Sequence, residues 1–323
     1  MTEPLPVPTS TLAVLDATLD PDEIAAAVRF AAAAKAAHTR RAYASDWADF
    51  GRWAASRGRS PLPCPPGLLC GYLAALANSG LRASTITRRA AAIAHHHRVA
   101  GLDPPTANPA VREVLRGIRH TVGTAPGGKT PATADLIARL LAACPDTLIG
   151  TRDRALIAFG FAGAFRRAEL LALEVADLSE LPDGLRVVIR RSKTDPEAEG
   201  QEIAIPRGSQ LCPVETLQTW LTAAAIIDGP LFRPVSKGGT VGPSPLSADG
   251  FVRALKRRAE AAGLDPARFA GHSLRAGFLT SAAEAGADAL KMAEVSRHKS
   301  MDTLRRYVRR ANLFKAHAGT SFL

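Results

Sequence analysis

Cysteine, aromatic residues and long hydrophobic runs are all scarce in this sequence of 323 residues. The four cysteines (Cys64, Cys70, Cys144 and Cys212) form no CxxC pair and have no regular spacing, so we expect neither a disulfide framework nor a zinc site. No stretch approaches the roughly 18 uncharged apolar residues that span a bilayer. The first ten residues also lack the pattern of a secretory signal, so we expect a cytoplasmic protein without membrane contact.

Signatures of metal and nucleotide chemistry are missing as well. No carboxylate cluster indicates a magnesium site, and no glycine-rich loop indicates use of ATP. We therefore expect neither a metal nor a cofactor. What is present, 46% apolar and 22% charged residues, is typical of a folded globular protein, and the length corresponds to about two domains.

Basic residues are more numerous than acidic ones, and this excess indicates the kind of partner. Lysine and arginine outnumber aspartate and glutamate by 41 to 30, a net charge of +11, which favours a polyanionic partner. The excess is uneven: residues 1–34 carry −4, residues 35–124 carry +9 and the remainder carries +6. We therefore predict an acidic arm over residues 1–34, followed by a basic domain.

The basic segment is predicted to be entirely helical over residues 35–121. Apolar residues recur at helical spacing in four stretches; Thr39 is the expected N-cap of the first, and Asn108 with Pro109 opens the last. Residues 122–131 are rich in glycine, proline and threonine and are interpreted as a linker.

Residues 132–323 are predicted to form a second, mostly helical domain with one antiparallel strand pair, over 185–190 and 201–205. The polar loop between these strands carries Lys193. Its helices are predicted at 133–143, 151–163, 166–174, 213–225, 247–262, 274–285, 288–296 and 300–311.

Three groups of residues in this domain could carry chemistry. Arg166 and Glu169, and His272 and Arg275, each lie three apart on a helical face, although an exposed ion pair or a capped helix would also explain them. Tyr307, one of only three tyrosines, is flanked by four arginines, which predicts a phenol pKa below 10. Together with Lys193 and His298, these groups supply a nucleophile, phosphate-binding cations, an acid and hydrogen-bond donors for phosphodiester transfer.

At this point the sequence resembles the tyrosine recombinase (phage integrase) family, and most of all its Cre-type members. The resemblance covers residues 35–323 and rests on five motifs in register. They are Arg166 in RRAEL, Lys193 in the hairpin loop, HSLR at 272–275, His298 in RHKS and Tyr307 in RRYVR. The sequence departs from the family pattern at Phe165, Ala276 and Gly277, and at Arg297, where many relatives have glycine.

The resemblance implies a SAM-like core-binding domain, a catalytic domain and a reaction cycle. Tyr307 would form a 3′-phosphotyrosyl bond, and two rounds of strand exchange would pass through a Holliday junction without ATP or metal. Arg166, His272 and Arg275 would stabilise the transition state. His272 is also the candidate for the base that takes the proton of Tyr307. Lys193 would be the general acid, His298 would bind a non-bridging oxygen, and Glu169 would orient a catalytic side chain.

The resemblance also implies partners: double-stranded DNA with a paired inverted-repeat site, and a homotetramer in which residues 312–323 dock onto a neighbour. The apolar tail could instead cover its own domain. Seven arginines and one threonine of the first domain are candidate DNA contacts, with a solvated basic face as the alternative. These are Arg40, Arg41, Arg82, Thr85, Arg88, Arg89, Arg116 and Arg119. Rival functions are a catalytically silent DNA-binding protein and a type IB topoisomerase-like enzyme.

Overall fold

A computed structural model describes residues 20–33, 37–124, 129–190, 200–298 and 300–311 of the chain. Within these ranges it has thirteen α-helices and one three-stranded antiparallel sheet, so the predicted mainly helical class is confirmed. The fold divides into two compact units between Gly127 and Gly128. No helix in the described ranges combines the length and apolar character needed to cross a membrane.

The first unit is built from helices alone across its described part. They are α1 (Pro21–Ala33), α2 (Ala37–Ala55), α3 (Pro66–Asn78), α4 (Ala83–Val99) and α5 (Pro109–Val122). The cap of α5 is confirmed, since the Asn108 side chain accepts a hydrogen bond from the Ala110 amide at 3.0 Å. The Thr39 cap is wrong, because α2 already begins at Ala37.

The core of the first unit lies between α2, α3, α4 and α5. Each helix contributes one apolar stripe, as the sequence spacing predicted. The fully buried members include Phe50, Leu69, Tyr72, Leu73, Ile86, Ile93 and Val111. Trp47 lies at the edge of this core and stacks on His96 with ring centroids 4.3 Å apart. His96 and His97 are both buried beside this core.

The second unit contains eight helices and the sheet in its described part. The helices are α6 (Ala134–Ala142), α7 (Leu148–Ala162), α8 (Arg167–Ala172), α9 (Pro213–Ala223), α10 (Ala248–Ala261), α11 (Ser273–Glu284), α12 (Ala289–Ser296) and α13 (Met301–Ala311). All eight predicted helices are confirmed to within a few residues. The central helix α7 is buried on every side from Ala155 to Phe161, and it leads directly to the turn that carries Arg166.

The sheet has the order β1 (Leu178–Leu181), β2 (Gly184–Ile189) and β3 (Gln201–Pro206). The predicted pair β2–β3 is confirmed, with Leu185 opposite Ile205 and Val187 opposite Ile203. The prediction of only two strands is wrong, because β1 pairs with the other edge of β2. This strand is four residues long and half-exposed, so its sequence shows no alternation of buried and exposed residues.

Candidate active site

The turn between α7 and α8 places Arg166 against a buried carboxylate. Arg166 is the last residue before α8, and its Nη1 lies 2.6 Å from Oε1 of Glu169. The other carboxylate oxygen of Glu169 accepts the Arg166 amide at 2.9 Å. Because the Glu169 side chain is almost fully buried, the alternative of an exposed ion pair is wrong.

Arg275 approaches the same turn from the first turn of α11. Arg275 is 1% exposed, and its Nη1 donates to the carbonyl of Ala164 at 2.7 Å. Ala164 is itself in the left-handed backbone region, with φ 43°, which helps to aim its carbonyl inward. Burial, and then the charges of Arg166 and Arg297, lower the pKa of Arg275 to about 9, a sign of how concentrated the positive charge is.

His298 follows the end of α12 and lies beside Arg275. Arg275 Nη2 is 3.2 Å from Nδ1 and 3.4 Å from Nε2 of His298. Ser296 Oγ lies 2.7 Å from Nδ1 and donates its own hydrogen to the Met292 carbonyl. The Ser296 oxygen therefore accepts from Nδ1–H, which leaves Nε2 without a proton in the neutral ring.

The histidines of the site are held neutral. Burial first, and then Arg275 and Arg166, lower the pKa of His298 to about 4. The same causes in the same order lower the pKa of His272, the residue that precedes α11. A neutral imidazole has a lone pair, so His272 is able to accept a proton near neutral pH.

Tyr307 lies on α13, half-buried and packed against a small cluster that includes Leu279 and Met292. Burial raises the pKa of its phenol above 10, and Arg275 and then Arg306 oppose that rise. The predicted fall in the pKa of Tyr307 is therefore wrong. The flanking Arg305 is exposed and pairs with Asp302 instead, so nearness in sequence overstated its effect.

The structure thus brings Arg166, Glu169, His272, Arg275, His298 and Tyr307 into one unit, around α11 and the Ala164 turn. Lys193 lies outside the described residues. Sequence reasoning assigned no contact to Ser296 or to Arg297, although Arg297 had stood out as a departure from the family pattern. No three His, Cys, Asp or Glu side chains of the described ranges converge as metal ligands.

The candidate DNA contacts of the first unit fall into two classes. Exposed positions are Arg41, Arg82, Arg88, Arg116 and Arg119, whereas Arg40 and Thr85 are half-buried. Arg88 pairs with Asp46 at 2.5 Å. Arg89 is largely buried; it pairs with Asp49 and donates to the hydroxyl of Tyr72 at 2.9 Å. The contacts of Arg89 therefore favour a role in holding α2, α3 and α4 together.

Comparison with known proteins identifies the group to which this architecture belongs. Residues 132–313 match the phage integrase family, and residues 30–101 match the SAM-like domain found at the N-terminus of phage integrases. The chain belongs to the phage integrase family. The predicted class of enzyme, a site-specific tyrosine recombinase, is thereby confirmed.

Individual relatives agree with this family. The integrase/recombinase XerD homolog of Selenomonas ruminantium is 40% identical over 291 residues, covering 88% of this chain and 85% of that protein. The Cre recombinase of Escherichia phage P1 is 26% identical over 292 residues, covering 84% of each chain. This phage integrase family member is thus more similar to the XerD homolog than to Cre.

The fold is also similar to that of a solved recombinase structure. The crystal structure of the XerH site-specific recombinase bound to its palindromic difH substrate superposes with a TM-score of 0.66. The superposition covers 88% of this chain and 80% of that one, at 17% identity, a level at which it shows the shared fold alone.

Proposed function

We propose that this chain cleaves and rejoins DNA at a specific site through a 3′-phosphotyrosyl intermediate on Tyr307. The observation that carries the proposal is the convergence of Arg166, Arg275 and two neutral histidines near one half-buried tyrosine. Two guanidinium groups suit the non-bridging oxygens of a phosphodiester, because each offers paired donors and a fixed charge.

Cleavage needs a proton to leave Tyr307 as its Oη bonds to phosphorus. Burial raises the pKa of this phenol, so its ionisation has to be coupled to the attack. His272, held neutral by burial and by its cationic neighbours, is the proposed acceptor of that proton. The bond from phosphorus to the 5′ oxygen breaks, and Lys193 is the proposed donor of the proton that this oxygen takes up.

Charge in the pentacoordinate transition state falls on the non-bridging oxygens. Arg275 is fixed by the Ala164 carbonyl, so it is already oriented before DNA arrives. A bound phosphodiester offsets the positive charge of the arginines and so raises the pKa of His298. The ring can then keep Nδ1–H on Ser296 and donate from Nε2 to the phosphate.

Rejoining reverses these steps with a different 5′-hydroxyl. The hydroxyl of a partner strand attacks the phosphotyrosine, Tyr307 leaves, and the protons return by the same groups. The phosphotyrosyl bond conserves the energy of the original linkage, so no ATP is consumed. Two such exchanges, with a Holliday junction between them, complete the proposed recombination.

We propose that the first unit grips the DNA as a core-binding domain over residues 35–121, with the linker at 122–131 and the catalytic domain at 132–323. Exposed Arg82, directly before α4, and exposed Arg116 and Arg119 on α5 are the proposed phosphate and base contacts. The partner is a duplex with a paired inverted-repeat site, and the chain would accordingly be associated with the nucleoid in the cytoplasm.

Assembly is proposed to involve an apolar groove on the second unit. The groove has a volume of about 430 Å³ and is lined by Phe161, Leu211, Phe278 and Val295 among others. Residues 312–323, which lie outside the described residues, contain two phenylalanines and two leucines. We propose that this tail of one subunit fills the groove of its neighbour in a tetramer on DNA.

The decisive experiment traps the covalent intermediate. DNA selected by the protein from a random duplex pool is nicked near the cleavage position, so that a short strand is lost after attack. Wild type should then accumulate a covalent protein–DNA adduct, Tyr307→Phe should form none, and Tyr43→Phe should behave as wild type. An adduct that persists in Tyr307→Phe would refute the assigned nucleophile.

The same preparation distinguishes the two rival functions. A silent DNA-binding protein would retain the duplex and form no adduct at all. A topoisomerase-like enzyme would relax supercoiled plasmids that lack the selected site.

A further inference from the structure

We propose that Arg297 is a positioning residue for Arg166, an inference that rests on the proposed function. It acts in two ways: it shares the carboxylate of Glu169 with Arg166, and it anchors the turn on which Arg166 is carried. Nothing in the phosphotyrosyl mechanism requires an arginine at this place, so the evidence is the set of contacts around it.

The side chain of Arg297 runs inward, under the Arg166 turn. It is 7% exposed. Nη1 donates to the carbonyls of Gly163 at 3.1 Å and Val295 at 2.5 Å, and Nη2 donates to the carbonyl of Ala164 at 3.2 Å. One guanidinium therefore ties the end of α12 to the end of α7, the two segments that precede His298 and Arg166.

The same guanidinium reaches Glu169. Arg297 Nη2 lies 2.8 Å from Oε2 of Glu169, while Arg166 Nη1 lies 2.6 Å from Oε1. Arg166 also donates from Nη2 to the main-chain carbonyl of Arg297, at 3.1 Å. Arg166 is thus held by Arg297 from two directions, through the shared carboxylate and through the peptide oxygen.

Sharing the carboxylate matters because of the charge it carries. With Arg166 as its only cationic partner, the buried Glu169 would offset the charge that Arg166 has to offer a phosphate. With Arg297 present, three guanidinium groups, those of Arg166, Arg275 and Arg297, surround one carboxylate. The group keeps a positive surplus for the scissile phosphate, and Glu169 can still orient Arg166.

The backbone at Arg297 is evidence that its side chain is needed where it is. Its φ is 57°, in the left-handed region that disfavours side chains and suits glycine. Ala164 also has a left-handed backbone, and its carbonyl accepts hydrogen bonds from both Arg275 and Arg297. Arg297 therefore also helps to fix the carbonyl that orients Arg275.

The test compares Arg297→Gly and Arg297→Gln with Arg258→Gln. Arg258 is a matched control, because it is a buried arginine of the same unit that binds a carboxylate, Asp153, and a carbonyl, Ala143. Three quantities are measured on the nicked duplex: the Kd for DNA, the rate constant of adduct formation at saturating DNA, and the Tm of the protein alone.

We expect both Arg297 variants to lower the saturating rate constant by about 10- to 100-fold, the range for a misplaced catalytic group, with little change in Kd. Arg258→Gln should lower the Tm but leave that rate constant unchanged at temperatures well below its Tm. Low millimolar guanidinium should raise the rate of Arg297→Gly several-fold relative to sodium at equal ionic strength. An opening of about 450 Å³ lined in part by Arg297 and His298 gives the ion access.

Rate constants for both Arg297 variants equal to that of Arg258→Gln, without response to guanidinium, would overturn the inference. If Arg297→Gly does not fold, Arg297→Gln retains the bulk of the side chain and decides the question alone. Failure of the proposed function would look different, because wild type itself would then form no adduct.

Discussion

Asp153 is expected to be the most sensitive carboxylate for the stability of the second unit. It is 0% exposed; Oδ1 accepts from Arg152 Nε at 3.0 Å and Nη2 at 2.5 Å, and Oδ2 accepts from Arg258 Nε at 3.0 Å. Arg152 and Arg258 are buried too. The substitution Asp153→Asn keeps the shape but removes the only negative charge that these contacts place between the two guanidinium groups.

The expected cost follows from leaving buried cations without their anion. Breaking a buried ion pair from one side costs about 3–5 kcal/mol, whereas an exposed pair contributes about 0–1 kcal/mol. The asparagine amide adds to the cost, because its NH2 group would face a guanidinium donor. For a domain of this size, about 2–4 °C of Tm is lost per kcal/mol, so we expect a fall of roughly 6–20 °C.

Urea unfolding followed by circular dichroism measures this loss, and Asp146→Asn is the control. Asp146 is 98% exposed and pairs with Arg154 at 3.5 Å in the same unit, so the same substitution should have almost no effect. If Asp153→Asn and Asp146→Asn differ by less than about 1 kcal/mol, the reasoning about the buried network is refuted.

Three further predictions concern binding, pH and packing. Arg116→Ala should reduce the slope of log K for DNA binding against log salt concentration by about 0.9, measured by filter binding. Arg89→Ala should instead lower the Tm of the first unit. The reverse pattern in filter binding and melting would exchange the roles of these two arginines. As the pH is lowered from 6.5 to about 4, the unfolded chain binds a proton at His298 that the folded chain does not, so the free energy of unfolding decreases. His298→Gln should make this decrease smaller. Urea midpoints of the two proteins that decrease in parallel would contradict the prediction. Gly277→Ala should cost about 1–3 kcal/mol or more in denaturant unfolding, because the added Cβ would lie 1.8 Å from the Ala132 carbonyl oxygen, and an unchanged midpoint would refute that clash.

The sequence was sufficient for the family and for the helices from α2 onward, whereas α1 (Pro21–Ala33) lies in the stretch interpreted only as an acidic arm. Caps and apolar stripes are local signals, and they located α5 from Asn108 and Pro109 as well as all eight helices of the second unit. The short edge strand β1 was missed because pairing with β2, and not its own residue pattern, keeps it in place.

Electrostatics proved harder to predict than position. The arginines beside Tyr307 in sequence suggested a lowered pKa, but burial dominates, and the cation with the largest effect is Arg275 from another helix. Arg89 likewise belongs to a basic stretch of sequence, yet its charge is paired inside the first unit. Such outcomes depend on which side chains meet across the fold, information that spacing along one helix does not contain. The catalytic roles of Lys193, Arg166 and their partners stay predictions until an adduct is trapped.

The carbonyl of Ala164 has a consequence for how this enzyme can be altered. It anchors two arginines, yet it belongs to the main chain, so no side-chain replacement can delete it. Mutation can change only the left-handed turn that aims it, and at position 164 only small or left-handed-tolerant residues preserve that turn. Directed evolution toward new target sites should therefore diversify the exposed arginines of the first unit and confine position 164 to glycine, asparagine, aspartate or alanine.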